Sequence, residues 1–416
     1  MTRIALLLAL MVGGSFPFPS AEHPQEDFKR LVDEAWKTID ETYYDSTFNN
    51  QNWPRVRAEL LARNYSSRQE AVAAIREMIK RLDEPATRFL TRDEFAALLN
   101  DFSTDQHAGI GLKELLSVDI NERTRRLTVV TPLPESPAAR ARLRPGDIIE
   151  AIDGLPTAGL SLAEAAAKLR GEAGTGVNLR VRRGRKIFDL PLRREIIPAI
   201  TPVRSFMKVL SPVRALEDIS QRKKIGYIAL RQFTAEASSQ MREAVKNLLQ
   251  KGADGFLLDL RNNPGGLVDA CQQIAGVFLD KKLIAYISSK GARQELAATG
   301  ERMTDKLLVA IINEGSASAA EVLAAALQSN KRASLVGART FGKGLLHFPR
   351  PLADGSAMLV TAGKLLTPDG RDILSEGILP DVPEPSAVID STKAGSSEDV
   401  QYARALGILL REIQKR

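Results

Sequence analysis

The spacing of apolar positions changes along the chain, and each change marks a new kind of element. Between residues 26 and 100 the spacing is helical: Phe28, Leu31, Val32, Trp36 and Ile39 share one face, and Val72, Ile75, Met78, Ile79 and Leu82 share another. Ser67-x-x-Glu70 has the form of a capping box ahead of the second group, and Asn49 to Trp53 is a polar break between helices. From 103 to 196 short β-type runs take over, at Leu127 to Thr131, Ile148 to Ile152, Val177 to Val181 and Phe188 to Leu192. Pro145-Gly146-Asp147 and Asp153-Gly154 are turn signals between them, and one helix intervenes, opened by Ser161-x-x-Glu164 and carrying Leu169 on its apolar face. From about residue 224 apolar strands alternate with helices. Ile225 to Leu230 is a strand; Met241, Val245, Leu248 and Leu249 mark a helix that Gly252 ends; Phe256 to Leu260 is a strand running into Asn262-Asn263-Pro264-Gly265-Gly266 and a helix from Val268. Leu307 to Ile312, an Ala/Leu-rich helix and Leu335-Val336 repeat the pattern. This βαβ rhythm predicts an α/β layered core around a largely parallel sheet. Two of its strands end in polar, glycine-rich turns, the place where such sheets hold ligands.

The expected organisation is therefore a helical arm at 26–100, a small β-rich domain at 103–196, an α/β core at 200–385, and at 386–416 a Pro/Ser/Gly-rich linker followed by an amphipathic helix from Glu398 to Lys415. Residues 1–21 read as a signal peptide: Thr2-Arg3 is a short positive start, Ile4 to Val12 an apolar core too short to span a bilayer as a helix, and Ser15 or Ala21 a cleavage position. A membrane-anchoring start is the competing reading. Among 416 residues, 44% are hydrophobic and 26% charged, an ordinary balance for a chain with substantial cores. The net charge of +7 is spread out; without zinc spacing, a basic helix or an aromatic-interleaved basic strand, no nucleic-acid partner is expected. The single cysteine, Cys271, excludes an intrachain disulfide, and its place in a helical apolar pattern makes it a core residue and not a nucleophile.

The densest chemistry lies in Asn313-Glu314-Gly315-Ser316-Ala317-Ser318-Ala319-Ala320-Glu321 and, further on, Thr340-Phe341-Gly342-Lys343-Gly344. The first segment joins a strand to a helix, so Ser318 sits where backbone N–H groups and the helix dipole favour negative charge. Serine needs a neighbour to take its proton. Of the three histidines, His23 falls beside the signal region, leaving His107 and His347, and the basic residue with distinctive surroundings is Lys343. Taken alone, a lysine between glycines is a surface-turn residue; beside the serine motif it becomes a base. Ser316 is the rival nucleophile, disfavoured by its position relative to the helix. Glu321 shares a helical face with Ser318 and either bonds the lysine, caps the turn or stays on the surface. Gly265-Gly266 frees backbone N–H groups for half of an oxyanion hole, with the Ala319 amide as the other half, or is simply a tight turn. Gly109-Ile110-Gly111-Leu112 has the form of a loop that holds a terminal carboxylate beside a strand edge that accepts a peptide, a weak signal by itself.

These residues together resemble the carboxyl-terminal processing peptidases, or tail-specific proteases. The resemblance rests on Leu260-Arg261-Asn262-Asn263-Pro264-Gly265-Gly266, on the Ser318 and Lys343 segments and their spacing, on Leu366-Thr367-Pro368-Asp369-Gly370-Arg371, and on Gly377-Ile378-x-Pro380-Asp381. It implies a multi-domain α+β protein whose small domain is a PDZ domain, beginning at Gly109 and containing Ser136-Pro137-Ala138, and whose core resembles the crotonase and Clp-protease β/α layout. It implies Ser318 as nucleophile and Lys343 as general base, protein or peptide C-termini as partners, and no metal or organic cofactor. Trp36 to Tyr44, Phe48 to Trp53 and Pro85 to Leu90 look like the photosynthetic branch, from cyanobacteria and plastids. That implies export to a periplasm or thylakoid lumen and, as substrate, the precursor of a photosystem II reaction-centre protein, a membrane protein. The oligomeric state is left open.

The chain departs from the family where His347 replaces a glutamine and Ser329 an acidic residue. On a regular strand residues 343 and 347 face the same side, so His347 is expected to contact Lys343 and to add pH sensitivity near pH 6–7. Arg170 matches a position that senses bound peptide in some relatives, or is a solvated helix-end arginine. The expectation is a secreted Ser/Lys endopeptidase. The alternatives are a catalytically inactive PDZ peptide-binding module, a Ser/His hydrolase using His347 without an evident orienting carboxylate, and a crotonase-type acyl-CoA enzyme.

Overall fold

The computed structural model describes residues 28–415 apart from 103–106, 114–116, 122–123, 199, 211–221, 386–393 and 397. The signal-peptide reading and most of the linker lie outside the described residues.

The arm begins with α1 (Phe28–Thr42), α2 (Trp53–Leu61) and α3 (Arg68–Lys80). Their apolar faces meet as the spacing predicts, around buried Leu31, Trp36, Ile39, Trp53, Ile75 and Met78. Phe48 stacks on Trp53 at 4.8 Å between ring centroids, and Trp36 Nε1 donates to Trp53 O at 3.0 Å. Only half of the expected capping box forms at α3: Ser67 Oγ accepts from Glu70 N, while the Glu70 carboxylate turns to Ser66. The arm is not wholly helical. β1 (Arg88–Leu90) runs antiparallel to a strand of the core, and α4 (Arg92–Phe102) follows, opened by a reciprocal box in which Thr91 N donates to Glu94 Oε2 and Glu94 N to Thr91 Oγ1. The preceding helix has ended at Lys80 and Asp83 turns the chain at φ +48°, and Arg88, Phe89 and Leu90 are all buried, which suits a strand inside a sheet.

The small domain holds β2 (His107–Gly109), β3 (Val118–Asn121), β4 (Arg126–Val129), α5 (Pro137–Arg140), β5 (Ile148–Ile152), β6 (Leu155–Pro156), α6 (Leu162–Leu169), β7 (Gly176–Arg183), β8 (Lys186–Arg193) and β9 (Glu195–Ile197). Its sheet has the order β3-β4-β5-β7-β8, with β6 on β5 and a separate β2–β9 ribbon. The Ser161–Glu164 capping box forms in both directions. Buried Arg194 closes the other end of α6, donating to Lys168 O at 2.7 Å and Leu169 O at 3.1 Å, so a fixed cation meets the negative helix terminus. The apolar core of this domain is continuous with Leu90, Phe95 and Leu98 of the arm.

The α/β core begins with β10 (Val203–Leu210), β11 (Lys223–Leu230), α7 (Ala237–Gln250), β12 (Gly255–Asp259), α8 (Val268–Phe278), β13 (Leu283–Ser289) and β14 (Ala292–Ala297). It continues with β15 (Leu307–Ile312), α9 (Ala319–Ser329), β16 (Ser334–Gly337), β17 (Leu345–Pro351), β18 (Ala357–Leu366), α10 (Ile373–Glu376), β19 (Val382–Pro383) and α11 (Val400–Gln414). One sheet has the order β10-β11-β12-β15-β16-β19, parallel except for β10. Phe256, Leu258, Ala310 and Ile312 face α7, α8 and α9, whereas Leu257, Val309 and Ile311 face Tyr402, Ala405 and Leu409 of α11. Both faces are covered, which is why these strands read as unbroken apolar runs. A second, antiparallel sheet has the order β1-β18-β13-β14 with β17 also on β18. The arm and the core share it. Ala357 and Leu359 of β18 also join the apolar core of the small domain.

Candidate active site

The Ser318 turn links β15 to α9 in an unusual backbone conformation, φ +53° and ψ −119°, which an L-residue adopts only under strain. The surrounding loop is pinned from both sides. Asn313 and Asn262 exchange bonds, Asn262 N donating to Asn313 Oδ1 and Asn313 Nδ2 to Asn262 Oδ1, both at 2.9 Å. Ser316 is fully buried; its hydroxyl donates to Leu260 O at 2.8 Å and accepts from Asn313 N at 3.0 Å. That serine is committed to joining two strand ends and is not presented to a substrate.

Gly265 lies directly against the turn. A Cβ at Gly265, where φ is +97°, would stand 2.8 Å from Ser318 Cβ and 2.9 Å from Ala319 N, so only glycine fits. Buried Asn263 shapes this loop: its Oδ1 accepts from Gly265 N, its Nδ2 donates to Leu230 O, and its own carbonyl accepts from Ala317 N. The Gly265 N–H is thus already used. Among the described residues no hydrogen bond engages the N–H of Gly266 or of Ala319. Cys271 packs beneath, its Sγ 3.4 Å from Ala319 O, and burial pushes its thiol up to about 12. It is an inert core group.

Glu321 is the centre of the arrangement. Fully buried, its Oε2 accepts from both Ser318 N and Lys343 N at 2.8 Å, and its Oε1 accepts from Gly342 N at 2.7 Å and Thr340 Oγ1 at 2.5 Å. One carboxylate oxygen therefore carries the backbones of both Ser318 and Lys343. Burial pushes the Glu321 carboxyl up to about 7, against the pull of these four donors.

The Lys343 side chain turns toward the small domain. Its ammonium is ion-paired with Asp119 Oδ2 on β3, and the two side chains are only 10% and 13% exposed. Among the described residues no hydrogen bond joins Lys343 Nζ to Ser318 Oγ. A cavity of about 240 Å³ opens at this junction, lined by Asp119, Asn121, Phe341, Lys343 and Leu374.

His347 lies on β17, where the Lys343 charge is within its electrostatic reach. Lys343 precedes β17, and where the β17–β18 register shifts between Leu346 and His347 the extra residue is Ala362 of β18, so β17 keeps its alternation, with Leu346 and Phe348 in one core. His347 Nδ1 lies 3.1 Å from Thr361 Oγ1, whose own proton goes to Glu84 Oε2 at 2.8 Å. Glu84 is anchored by the N–H groups of Ala86 and Thr87. With Thr361 already donating, Nδ1 is the donor, which leaves the Nε2 lone pair uncommitted by this chain of bonds. Burial pulls the ring's pKa down to about 4, so the imidazole is neutral near pH 7 and the expected titration near pH 6–7 moves lower. No hydrogen bond among the described residues joins His347 to Ser318.

The Gly109–Leu112 loop sits at the mouth of the small domain. Ile110 O accepts from Ala138 N and Gly111 O from Leu133 N, and a Cβ at Gly111 would fall 2.1 Å from Ser136 Cβ. Arg170 is the residue that ends α6, its N–H bonded to Ala166 O. Sequence reasoning missed Asp119, Glu84 and the clamp around Arg261. That guanidinium donates to both oxygens of Asp399 at 2.8 and 2.6 Å and to Asp259, whose carboxylate also accepts from Tyr227. Arg261 carried a signal in its motif; Asp119 and Glu84 carried none.

Residues 224–383 match peptidase family S41, residues 128–183 a PDZ domain, and residues 24–80 the tricorn protease C1 domain. The chain is 40% identical to a carboxyl-terminal-processing protease of Synechocystis sp., across 97% of this chain and 92% of that one. It is 38% identical to carboxyl-terminal-processing peptidase 2, chloroplastic, of Arabidopsis thaliana, across 85% and 68%. A solved photosystem II D1 C-terminal processing protease matches with a TM-score of 0.80 and 32% identity, over 92% of this chain and 98% of that one.

Proposed function

The chain belongs to peptidase family S41, among the carboxyl-terminal-processing proteases, and on that footing we propose that Ser318 and Lys343 form its catalytic dyad. The observation that carries this reading is the Glu321 carboxylate, which holds both backbones on one oxygen at the strained start of α9. A protein C-terminus docks at the Gly109–Leu112 loop and the adjoining strand edge, with Arg170 at the neighbouring helix end. Neutral Lys343 takes the Ser318 proton, and Ser318 Oγ attacks the scissile carbonyl. The oxygen that becomes negative is received by N–H groups of the Gly265–Gly266 turn and of Ala319, with the Gly266 and Ala319 donors uncommitted at rest. The protonated lysine then gives its proton to the leaving amine, and water hydrolyses the acyl-enzyme.

His347 acts as an acceptor for Lys343 through Nε2. The Glu84–Thr361 chain supports this reading by leaving the proton on Nδ1. Residues 1–21 direct export, to a periplasm or thylakoid lumen. The physiological substrate is the precursor of a photosystem II reaction-centre protein, a reading supported by the likeness to the solved D1 processing protease.

Incubation of the mature chain with an unstructured polypeptide and with that precursor tests the proposal. Ser318→Ala and Lys343→Ala are each expected to lower cleavage about 1000-fold or more. Retention of activity by Lys343→Ala, with loss in His347→Ala, would replace the lysine by the histidine. Efficient cleavage of the polypeptide but not of the precursor would remove only the substrate assignment.

A further inference from the structure

The antiparallel sheet carries a row of polar groups that crosses two strands of the core and ends in the arm. β17 and β18 pair so that His347 stands opposite Thr361, with Ala362 as the extra residue between that pair and the next, Leu346 and Gly363. A register without the bulge would set the imidazole opposite Ala362, so the extra residue is what puts a hydroxyl across from it. On its other side β18 pairs with β1, which brings the arm's turn at Glu84 to the same hydroxyl.

The Thr361 hydroxyl has no freedom left. Its one proton goes to Glu84 Oε2 at 2.8 Å, one lone pair accepts from the Thr87 hydroxyl at 3.3 Å, and the other faces His347 Nδ1 at 3.1 Å. Thr87 is held in place by Thr361 N, which donates to its Oγ1 at 3.1 Å. Glu84 is held as well: Oε1 accepts from Ala86 N at 2.6 Å and Oε2 from Thr87 N at 2.8 Å. The direction of the row is therefore set at Glu84, and a ring that must donate from Nδ1 carries its lone pair on Nε2.

The charged groups within electrostatic reach of the ring are Glu84, Lys343, Asp119 and Arg88, and of these Lys343 is the assigned base. A neutral amine has two N–H bonds and one lone pair. With Nε2 accepting one N–H, the lone pair is left for the Ser318 hydroxyl. With the proton on Nε2, the ring would donate to that same lone pair and compete with Ser318 for it.

We propose that Glu84, in the helical arm, is a positioning residue of the active site: through Thr361 it keeps the His347 proton on Nδ1, so that Nε2 orients the Lys343 amine instead of capping it. The proposal rests on the Ser/Lys reading and on the acceptor role of His347 above. It adds the residue that fixes the tautomer, and it makes the arm a part of the reactive machinery.

The full mature chain, labelled with 15N-histidine, is measured near pH 7. Two-bond 15N–1H correlations show which ring nitrogen is protonated, and the His347 signals are assigned by their loss in His347→Gln. The wild type and Thr361→Ser, which keeps the hydroxyl, are expected to show Nδ1–H. Glu84→Ala frees the Thr361 proton to turn toward Nδ1 and is expected to move the ring proton to Nε2; Thr361→Val is expected to give a mixture. Glu84→Ala should lower kcat about 10–100-fold with little change in KM. A glutamine at 347 presents a carbonyl with no proton to relocate, so in the His347→Gln background the further loss from Glu84→Ala should shrink to about threefold or less. Thermal melting checks each fold, and Thr361→Val carries the same two comparisons if Glu84→Ala does not fold. A wild-type ring protonated on Nε2, or equal losses in the two backgrounds, would overturn the proposal. A failure of the Ser/Lys reading shows differently, as cleavage that persists in Ser318→Ala or Lys343→Ala.

Discussion

The two halves of the proposed Ser/Lys centre are built on opposite plans. The nucleophile side is finished within the core: Ser316, Asn313, Asn262 and Asn263 use their side chains to lock two strand ends, and Gly265 leaves room only for backbone. The base side is unfinished. The Lys343 backbone is fixed by Glu321, but its ammonium is bonded to a different domain, and His347 is tied to the arm only through Thr361. The contrast teaches that strain and burial can be stored permanently at the serine, whereas the charge state of the lysine depends on how three parts of the chain sit together.

Removing Glu321 should break this division most strongly, because it is the one group serving both sides. Glu321→Ala strands several buried donors, each left unsatisfied at a cost of about 1–3 kcal/mol, and cleavage should fall by roughly two orders of magnitude or more, mostly in kcat. Melting temperature and steady-state kinetics together check this. The group also has a pH signature. Its folded value, about 7, is raised above the ordinary 4.5. Its stabilising contribution is therefore full below pH 4.5 and lost as pH rises to 7, and denaturant titrations across that window should show the decline flattened in the variant.

Ser316→Ala sharpens the comparison from the nucleophile side. It should cost about 1–3 kcal/mol of stability by leaving Asn313 N without an acceptor, while a folded sample at low temperature keeps cleaving. A loss as complete as that of Ser318→Ala in folded protein would refute the assignment of the nucleophile. The smallest effect belongs to His347→Gln. The depressed value of about 4 means that His347 contributes stability above its ordinary 6.5 and loses it as pH falls toward 4. The glutamine variant should unfold less readily with acid in that interval, which melting curves at a series of pH values will show.

The buried sheet and the nucleophile turn were legible because their physics is local or repetitive. β12 and β15 are apolar without interruption since helices cover both their faces, and the turn after β15 announces itself through small residues before a helix. β17 and β18 were not legible: Pro349, Pro351 and Gly363 interrupt them, and their order comes from pairing with β1 and β13, far away in the chain. The preference for Ser318 over Ser316 came from position relative to the helix, whereas the burial of Ser316 could not be read from the sequence. Asp119 looks like any strand-surface carboxylate until β3 is brought against residue 343.

The clamp at Arg261 makes the far end of the chain answerable for chemistry that it never touches. Asp399 leads into α11 and grips the arginine that immediately precedes Asn262 and Asn263, so the Gly265–Gly266 turn rests on a helix from the last residues described. Shortening the protein to just before Asp399 would therefore be an injury to the reactive centre, although every group that meets the substrate would still be present. Two carboxylates would lose a shared cation, and the loop beside Gly265 would inherit the slack.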